Sequence, residues 1–507
     1  MHHILTMEIP VPSLVLCISF MLSTLILLKI IRKLLETKDS NGKFPPGPWK
    51  LPLIGNIHNL VGDVPHRALH QLAQKLGPMM GLELGEVSVV VISSADAAKQ
   101  IMKTHDINFA SRPPIITAEI ISYGCTSITF SPHADYWRQL RKLCTLELLS
   151  NKRVQSFRSL REEVFADLSR WIASMEGSSI NLTAELYNST YALISRATLG
   201  DHTKQHEALL PILKEVMELS GGFDIAEWFP SIKVLQRVSR LRRRVMALHK
   251  EADKILEDIV RQHRAVKVEG HEDLLDVLLR VEEQGLELPL TTDNIKSVLV
   301  DMLGAGSETS ATTMDWVMAE MLKNPRVLEK AQEEVRKVFD EEGFVDESRI
   351  PQLKYMKAVV KETLRMHPPL PLLLPRKCGE TCEVNGYEIR AETKIIVNAW
   401  AVNRDPKCWE DAHSFKPERF MDNMVDYRGN HFEYIPFGAG RRMCPGMTFG
   451  LANVELPLAM FLYHFDWKLG GGMKPQEMDM ADGTGVTSRR IKDLCVVPLI
   501  KRPLSTK

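Results

Sequence analysis

The chain carries no net charge. Lys+Arg and Asp+Glu each total 64 among 507 residues, a balance that argues for neither a nucleic-acid partner nor an acidic one. Cysteine is sparse: eight over the whole length, with only Cys378 and Cys382 close together. That scarcity excludes a disulfide framework and points to a reducing compartment. Cys378-Gly-Glu-Thr-Cys382 has no His or Cys nearby to complete a metal site, and it reads as two reduced cysteines around a turn. A dinucleotide fingerprint is missing, so electrons for any redox chemistry come from elsewhere. No Lys or Arg precedes the first apolar run and no small-residue cleavage pattern accompanies it, which argues against a cleaved signal peptide.

What is there is an ordinary globular composition, 44% apolar and 25% charged, with ample material for a core. Residues 9–28 are almost wholly apolar and long enough to span a bilayer as a helix. Lys29, Arg32, Lys33 and Lys38 follow, so the positive-inside rule places residues 1–8 in the lumen and the body in the cytosol. The expected organisation is a single-pass signal anchor (9–28), a basic flank with a proline-rich hinge (29–48) and a cytosolic catalytic domain (49–507). In the hinge, Phe44-Pro-Pro-Gly-Pro48 is stiff and would hold the body at a set distance from the membrane. Asn181-Leu-Thr183 and Asn188-Ser-Thr190 have the glycosylation pattern but should stay unmodified on a cytosolic face.

Periodicity predicts a short helix over 65–76, strands over 80–84 and 88–92, amphipathic helices through 160–281 and a strand-rich stretch over 388–399. Residues 109–132 form an apolar loop. The longest helix candidate is 292–323, with Thr292 as its cap and Asn324-Pro325 closing it. Inside it lies Ala305-Gly-Ser-Glu-Thr-Ser310. Gly306 weakens the helix and Thr309 can bond back to a carbonyl, so a bend or widened turn is expected there. A hydroxyl beside an acid in an apolar helix, Thr309 and Glu308, suits proton delivery; the competing reading is a capping-type cluster on an exposed face.

The densest chemistry is near the C-terminal end, in Phe437-Gly-Ala-Gly-Arg-Arg-Met-Cys-Pro-Gly446. Gly438, Gly440 and Gly446 let backbone amides approach a large group. Pro445 suits the first turn of a following helix. That helix N-terminus, with Arg441 and Arg442, would lower the pKa of Cys444 toward the metal-binding thiolate. A lone cysteine cannot hold zinc, but it can complete haem iron, whose porphyrin supplies four ligands. The bland alternative is a glycine-rich turn around a buried cysteine. The spacing of Phe437, Gly440, Arg442, Cys444 and Gly446 resembles the haem-binding loop of the cytochrome P-450 monooxygenases.

Other motifs occur in that family's order: the proline hinge, Ala-Gly-x-Glu-Thr, Glu362-Thr-Leu-Arg365 and Phe415-Lys-Pro-Glu-Arg-Phe420. The resemblance covers the whole chain and is closest to membrane-anchored plant members. It implies a mainly helical P-450 fold with a small β-rich lobe, haem b held by the Cys444 thiolate with Phe437, Gly438 and Gly446 around it, and Trp137, Arg141, Arg376 and Arg442 as donors to the haem propionates. It also implies a buried ion network of Glu362, Arg365 and Arg419 beneath the loop, and proton delivery through Thr309 and Glu308.

For the substrate pocket it implies Ile115, Ile116 and Ile120 from the loop, Met302 and Ala305 from the long helix, Leu370, Leu372 and Leu373 from a proline-stiffened wall, and Val486 from the turn at 482–487. The implied partners are O2, a small hydrophobic substrate and NADPH–cytochrome P-450 reductase, with cytochrome b5 as an optional assistant, at the endoplasmic reticulum membrane. Cys144-Thr-Leu-Glu-Leu-Leu-Ser150 and residues 221–230 and 274–280 look like plant sesquiterpene and diterpene oxidases. Alkaloid or phenolic substrates are the alternative, as are a haem-thiolate isomerase or dehydratase and a membrane-tethered haem sensor. Thr309 argues against the last two.

Overall fold

The computed structural model describes Thr24 and residues 43–200, 203–221, 224–265, 272–285 and 290–504. The expected lumenal segment, anchor and basic flank lie outside these residues, apart from Thr24. Among the described residues no helix is long and apolar enough to cross a membrane.

A 32-residue helix, Thr292–Lys323, is the axis of the body. At ~1.5 Å per residue it is about 48 Å long. Its cap is Thr291, one residue earlier than predicted: the Thr291 hydroxyl accepts from Asn294 N–H, and the Asn294 side chain accepts from Thr291 N–H at 3.0 Å. Every residue from 310 to 322 is buried, so this half is enclosed on all sides and shows no polar face. The expected bend is absent, and the helix stays α-helical across 305–310. Gly306 instead admits a neighbour, since a Cβ there would sit 3.4 Å from the Ile194 side chain of helix Leu182–Leu199.

The β-lobe is a four-stranded sheet: β1 (Met79–Leu84), β2 (Val87–Ile92), β3 (Arg376–Lys377) and β4 (Lys394–Val397), in the order β1-β2-β4-β3. β1 and β2 form an antiparallel hairpin, β2 and β4 run parallel from Val89↔Lys394, and β3 pairs with β4 at Arg376↔Ile395. Val89, Val90, Val91 and Ile92 are all buried, as expected of a strand covered on both faces. The proline hinge does not stand free. Gly81 N–H donates to Pro46 O at 2.9 Å, and a Cβ on Gly81 would clash with the Phe44 ring at 2.3 Å, so 44–48 lies directly on β1. It clasps the sheet.

Two further helices position the site. Lys354–Met366 carries the Glu-x-x-Arg pair, and Met447–His464 follows the cysteine loop. The second is apolar almost throughout and packs in the same core as the buried half of the long helix.

Candidate functional site

The cysteine loop is shaped by its own backbone. Gly438 N–H donates to Ile435 O and Met443 N–H to Gly440 O, each at 3.0 Å, and Cys444 N–H returns to Phe437 O at 3.0 Å. These turns bring Phe437 and Cys444 side by side. Gly440 has φ +70°, and a Cβ there would fall 2.0 Å from Met102 O, so no side chain fits. At Gly446 a Cβ would meet nothing within 4 Å, which leaves open space beside the cysteine.

Cys444 is solvent-accessible yet desolvated by surrounding protein, as expected of a thiol facing an interior space. Burial pushes its pKa up, opposed by the Gly446 N–H and the Arg141 guanidinium. This corrects the expected lowering by Arg441, Arg442 and a helix terminus. The helix begins only at Met447, Arg441 N–H turns to Asp106 at 2.8 Å, and Arg442 points the other way. Metal coordination deprotonates a thiol outright, and that term outweighs the burial.

Around the loop are four guanidinium groups, of which those of Arg376 and Arg442 are buried. Arg442 donates to Ala110 O, Ile128 O and Ser131 O and stacks 4.1 Å above the Trp137 ring. The Trp137 indole N–H donates to Ile128 O at 2.9 Å. Arg376 bonds Asp106 at 3.0 Å and Ala439 O at 2.8 Å. Arg112, which the sequence did not single out, donates to Thr129, Leu374 and Pro375 carbonyls. Desolvation and mutual repulsion lower the pKa of Arg112 and Arg442, the latter to about 9.

Arg141 differs from the others. It is half-buried, lies close enough to Cys444 for their charges to couple, and has no hydrogen-bond partner among the described residues. The cluster is thus rich in positive charge with one guanidinium unpaired among the described residues, which suits a large dianion. In this arrangement Arg141 is free to reach a carboxylate, whereas Trp137, Arg442 and Arg376 brace the loop against 106–131.

On the long helix, Met302, Ala305 and Thr309 form an accessible stripe while Gly304, Glu308 and Ser310 are buried. Thr309 Oγ1 donates to Ala305 O at 2.7 Å. Glu308 points away from the stripe and forms a two-pronged pair with Arg489, and Thr487 Oγ1 donates to the same carboxylate at 2.7 Å. Arg489 carried no local signal in the sequence. Gly450, one turn into the helix after the loop, lies against Ser310, with a Cβ position 3.8 Å from its Oγ. The cysteine side and the hydroxyl side are therefore joined by direct helix contact.

Beneath the loop, Glu362 and Arg365 are fully buried and paired through two bonds of 2.7 and 2.9 Å. Arg419 Nε joins Glu362 at 3.0 Å, and Arg365 also donates to the carbonyls of Asn403, Ala412 and Ser414. Asn403 Oδ1 in turn accepts the Ile435 N–H, and Tyr434 OH donates to Lys361 O, which ties the start of the loop to this network.

The expected pocket residues are spread over several walls. Segment 110–131, expected as a loop, contains a short helix Ile116–Ile121 and is anchored to the long helix by Thr129 N–H on Asp301 and Ser297 Oγ on Ser122 O, which carries Ile115, Ile116 and Ile120 across it. Ile116 is buried; Ile115 and Ile120 are half-buried. Leu373 approaches the cysteine loop, with Cδ1 3.8 Å from a Cβ on Gly438, whereas Leu372 packs toward the sheet. Leu370 is half-buried in the same wall. The 482–487 turn carries half-buried Val486 and is fixed by Ser488 N–H on Pro369 O.

Three comparisons bear on this arrangement. A family profile described as cytochrome P-450 matches residues 45–494. The chain is 68% identical over 504 residues to a salviol synthase of Salvia pomifera, covering 99% of this chain and all of that one. It is 48% identical to a premnaspirodiene oxygenase of Hyoscyamus muticus, covering 94% and 96%. In fold it resembles a solved zebra fish cytochrome P-450 with progesterone, at a TM-score of 0.74 and 23% identity over 86% of this chain and 99% of that one.

Proposed function

The chain belongs to the cytochrome P-450 family, and we propose that it hydroxylates a terpenoid, a sesquiterpene or diterpene, at the endoplasmic reticulum membrane. It is a monooxygenase with haem-thiolate cofactor, using O2, a redox partner and a hydrophobic substrate. When bound, the haem supplies O2 activation, with electron density from its thiolate ligand favouring O–O cleavage. The residues here fit that group: an accessible cysteine, open space at Gly446 and an unused Arg141 donor beside it.

Each residue then has a stated task. Cys444 would supply the sulfur ligand to the haem iron and Arg141 would bind a propionate. Thr309 holds a proton on Oγ1, parked on the Ala305 carbonyl and available to the accessible stripe. Glu308 is held away from the stripe by Arg489 and Thr487, so it joins the path only when that pair opens. The apolar walls exclude water from the reacting carbon.

The terpenoid class is supported by the 68% identity to a salviol synthase and by a second relative named for oxygenating a diene. Membrane attachment is supported by Trp49, Val61, Ile225, Ile232, Val234 and Val238, exposed apolar side chains on segments that meet at the β1–β2 turn through Gly85 N–H on Ile54 O and Glu86 N–H on Trp228 O. The partner in this reading is NADPH–cytochrome P-450 reductase, with cytochrome b5 optional.

Membranes containing this protein and that reductase, given NADPH, labelled O2 and panels of terpenoids, alkaloids and phenolics, test the reading. One labelled oxygen in a terpenoid product is expected; turnover confined to the other panels would overturn the substrate class. A second outcome concerns the proton path. Thr309→Ala should retain haem but lower product per NADPH by about tenfold, because a positioned proton donor is worth ~10²–10⁴-fold and water recovers part of it. Unchanged coupling would remove Thr309 from the path.

A further inference from the structure

The turn that carries Val486 is held from three sides, and one buried carboxylate gathers much of that hold. Asp482 faces Arg490 across the mouth of the turn, which is closed by Gly483 N–H on Arg489 O at 2.8 Å and Ile491 N–H on Ala481 O at 3.0 Å. The Asp482 side chain is only 4% exposed. Its Oδ1 pairs with the Arg67 guanidinium, while Oδ2 accepts the Ser488 hydroxyl at 2.9 Å and lies 2.8 Å from Nε2 of buried His66. His66 and Arg67 belong to helix Pro65–Leu76, which packs on β1 and β2. Burial pushes the Asp482 pKa up, but His66, Arg67 and Ser488 outweigh it and hold the carboxyl well below its usual range. The group therefore stays ionised and depends on these partners for its place in the interior.

Ser488 passes this grip on. Its N–H donates to Pro369 O at 2.8 Å, its carbonyl accepts from the Trp316 indole at 2.7 Å, and its hydroxyl is spent on Asp482. Trp316 is fully buried in the long helix, so Ser488 is fixed between that helix and the proline-stiffened wall. The residues beside it act on the site. Thr487 and Arg489 both bond the Glu308 carboxylate, and Val486 is an expected pocket residue. At the tip, Gly485 lies against Gly221, where a Cβ would fall 2.4 Å from its backbone. Val486, Thr487, Ser488 and Arg489 are consecutive, so a displacement of the turn moves a substrate contact and the partners of Glu308 together.

We propose that Asp482 is a positioning residue that sets both the site of oxidation on the substrate and the timing of proton supply, by anchoring this turn to helix Pro65–Leu76. With the anchor in place, Val486 is a fixed wall and Arg489 holds Glu308 off the Thr309 stripe. Without it, the turn keeps its ties to Trp316 and Pro369 but loses those to the β-lobe. Val486 then gives way, and the substrate seats in more than one orientation. Glu308 is released whether or not substrate is seated. NADPH is then spent on reducing O2 to hydrogen peroxide, which takes two electrons and two protons and leaves the substrate untouched. The timing half rests on the proton path proposed for Glu308; the site-of-oxidation half rests on Val486 lining the pocket.

Full-length haem protein with reductase and NADPH tests it, on whichever compound of the terpenoid, alkaloid and phenolic panels wild type oxidises. Asp482→Ala should add a second oxidised position or shift the ratio of positions. It should also lower product per NADPH by about three- to tenfold, with peroxide making up the difference, short of the ~10²-fold that a misplaced reacting group costs. Hydrogen exchange at the Gly483 and Ser488 amides should rise by about tenfold, since local opening governs it, and this readout needs no substrate. Asp482→Asn, which keeps an acceptor for Ser488 but no charge for Arg67, should fall between. Haem content and the thermal melt report folding; a merely structural role would lower these and leave product ratio and product per NADPH unchanged in the haem-loaded fraction. If wild type oxidises only an alkaloid or phenolic, the terpenoid reading fails and Asp482 is judged on that compound. If Glu308→Gln leaves product per NADPH unchanged, the timing half is overturned and the ratio of positions decides the anchor. Unchanged exchange at the turn in Asp482→Ala, or an unchanged ratio with unchanged product per NADPH, overturns the proposal.

Discussion

Replacing Cys444 by alanine should abolish monooxygenase activity and the red-shifted Soret band that thiolate-ligated haem gives when reduced and treated with CO. The reason is local. No other cysteine shares the loop: Cys378 is buried beside Cys382 in the β-lobe, and Cys144 is buried in a separate apolar cluster with its pKa pushed up to about 12. Arg141 would then face a site with no thiolate to balance it. Folding should be almost unaffected, since the Cys444 backbone N–H still reaches Phe437 O and its side chain is accessible. A stability change within about 0.5 kcal/mol is expected, as for other changes that break no buried contact. A difference spectrum and a thermal melt on the same preparation check both halves. A normal band in the variant would remove Cys444 as the iron ligand.

Glu362→Ala should have the largest effect on stability. Glu362 and Arg365 are both fully buried, and Glu362 also accepts from Arg419 and from the Lys416 backbone N–H at 2.8 Å. Its removal strands the Arg365 charge in the interior, at a cost of about 3–5 kcal/mol. That is a large share of the ~5–15 kcal/mol that holds a typical domain folded. The expected result is a sharp loss of folded, haem-loaded protein, because the Ile435 N–H bond to Asn403 depends on the same network. Glu362→Gln, which keeps an acceptor but no charge, should fall between wild type and alanine. The exposed Asp135–Arg138 pair is the control: cutting it should leave the melt unchanged, as for most surface ion pairs. Equal melts for Glu362→Ala and this control would show that the buried network carries no stability.

Much of the fold was legible in the residues. Helix Pro65–Leu76 and the β1–β2 hairpin match their predicted spans within a residue, because their signals are local: a proline at N1, two runs of apolar residues and a tight turn. The long helix was readable for the same reason, from an N-cap and an Asn-Pro stop. Glu362 and Arg365 meet because three residues apart on a helix is one face.

Partner choice was not legible. Glu308 pairs with Arg489, 181 positions away, and nothing near Arg489 marks it. Arg112 is a single basic residue in a loop, recognisable only once Leu374 and Pro375 are folded against it. Trp137 and Arg442, the expected propionate donors, also donate to the backbone of 110–131, a tie that nothing in their local sequence marks. Gly306 could equally have marked a bend or a close contact, and only Ile194 decided between them.

By itself the sequence determined the chemistry, a thiolate in a glycine-rich loop and a hydroxyl on an apolar helix, because side-chain type and short-range spacing are written directly in it. Only the tertiary structure decided which buried charges are satisfied and which are left over. That outcome depends on which distant segments exclude water together: it pairs Arg376 with Asp106 and Glu308 with Arg489 and leaves the Arg141 side chain without a hydrogen-bond partner among the described residues. The paired groups hold the loop and the turn in place. Arg141, the unpaired one, is the donor left for the proposed cofactor.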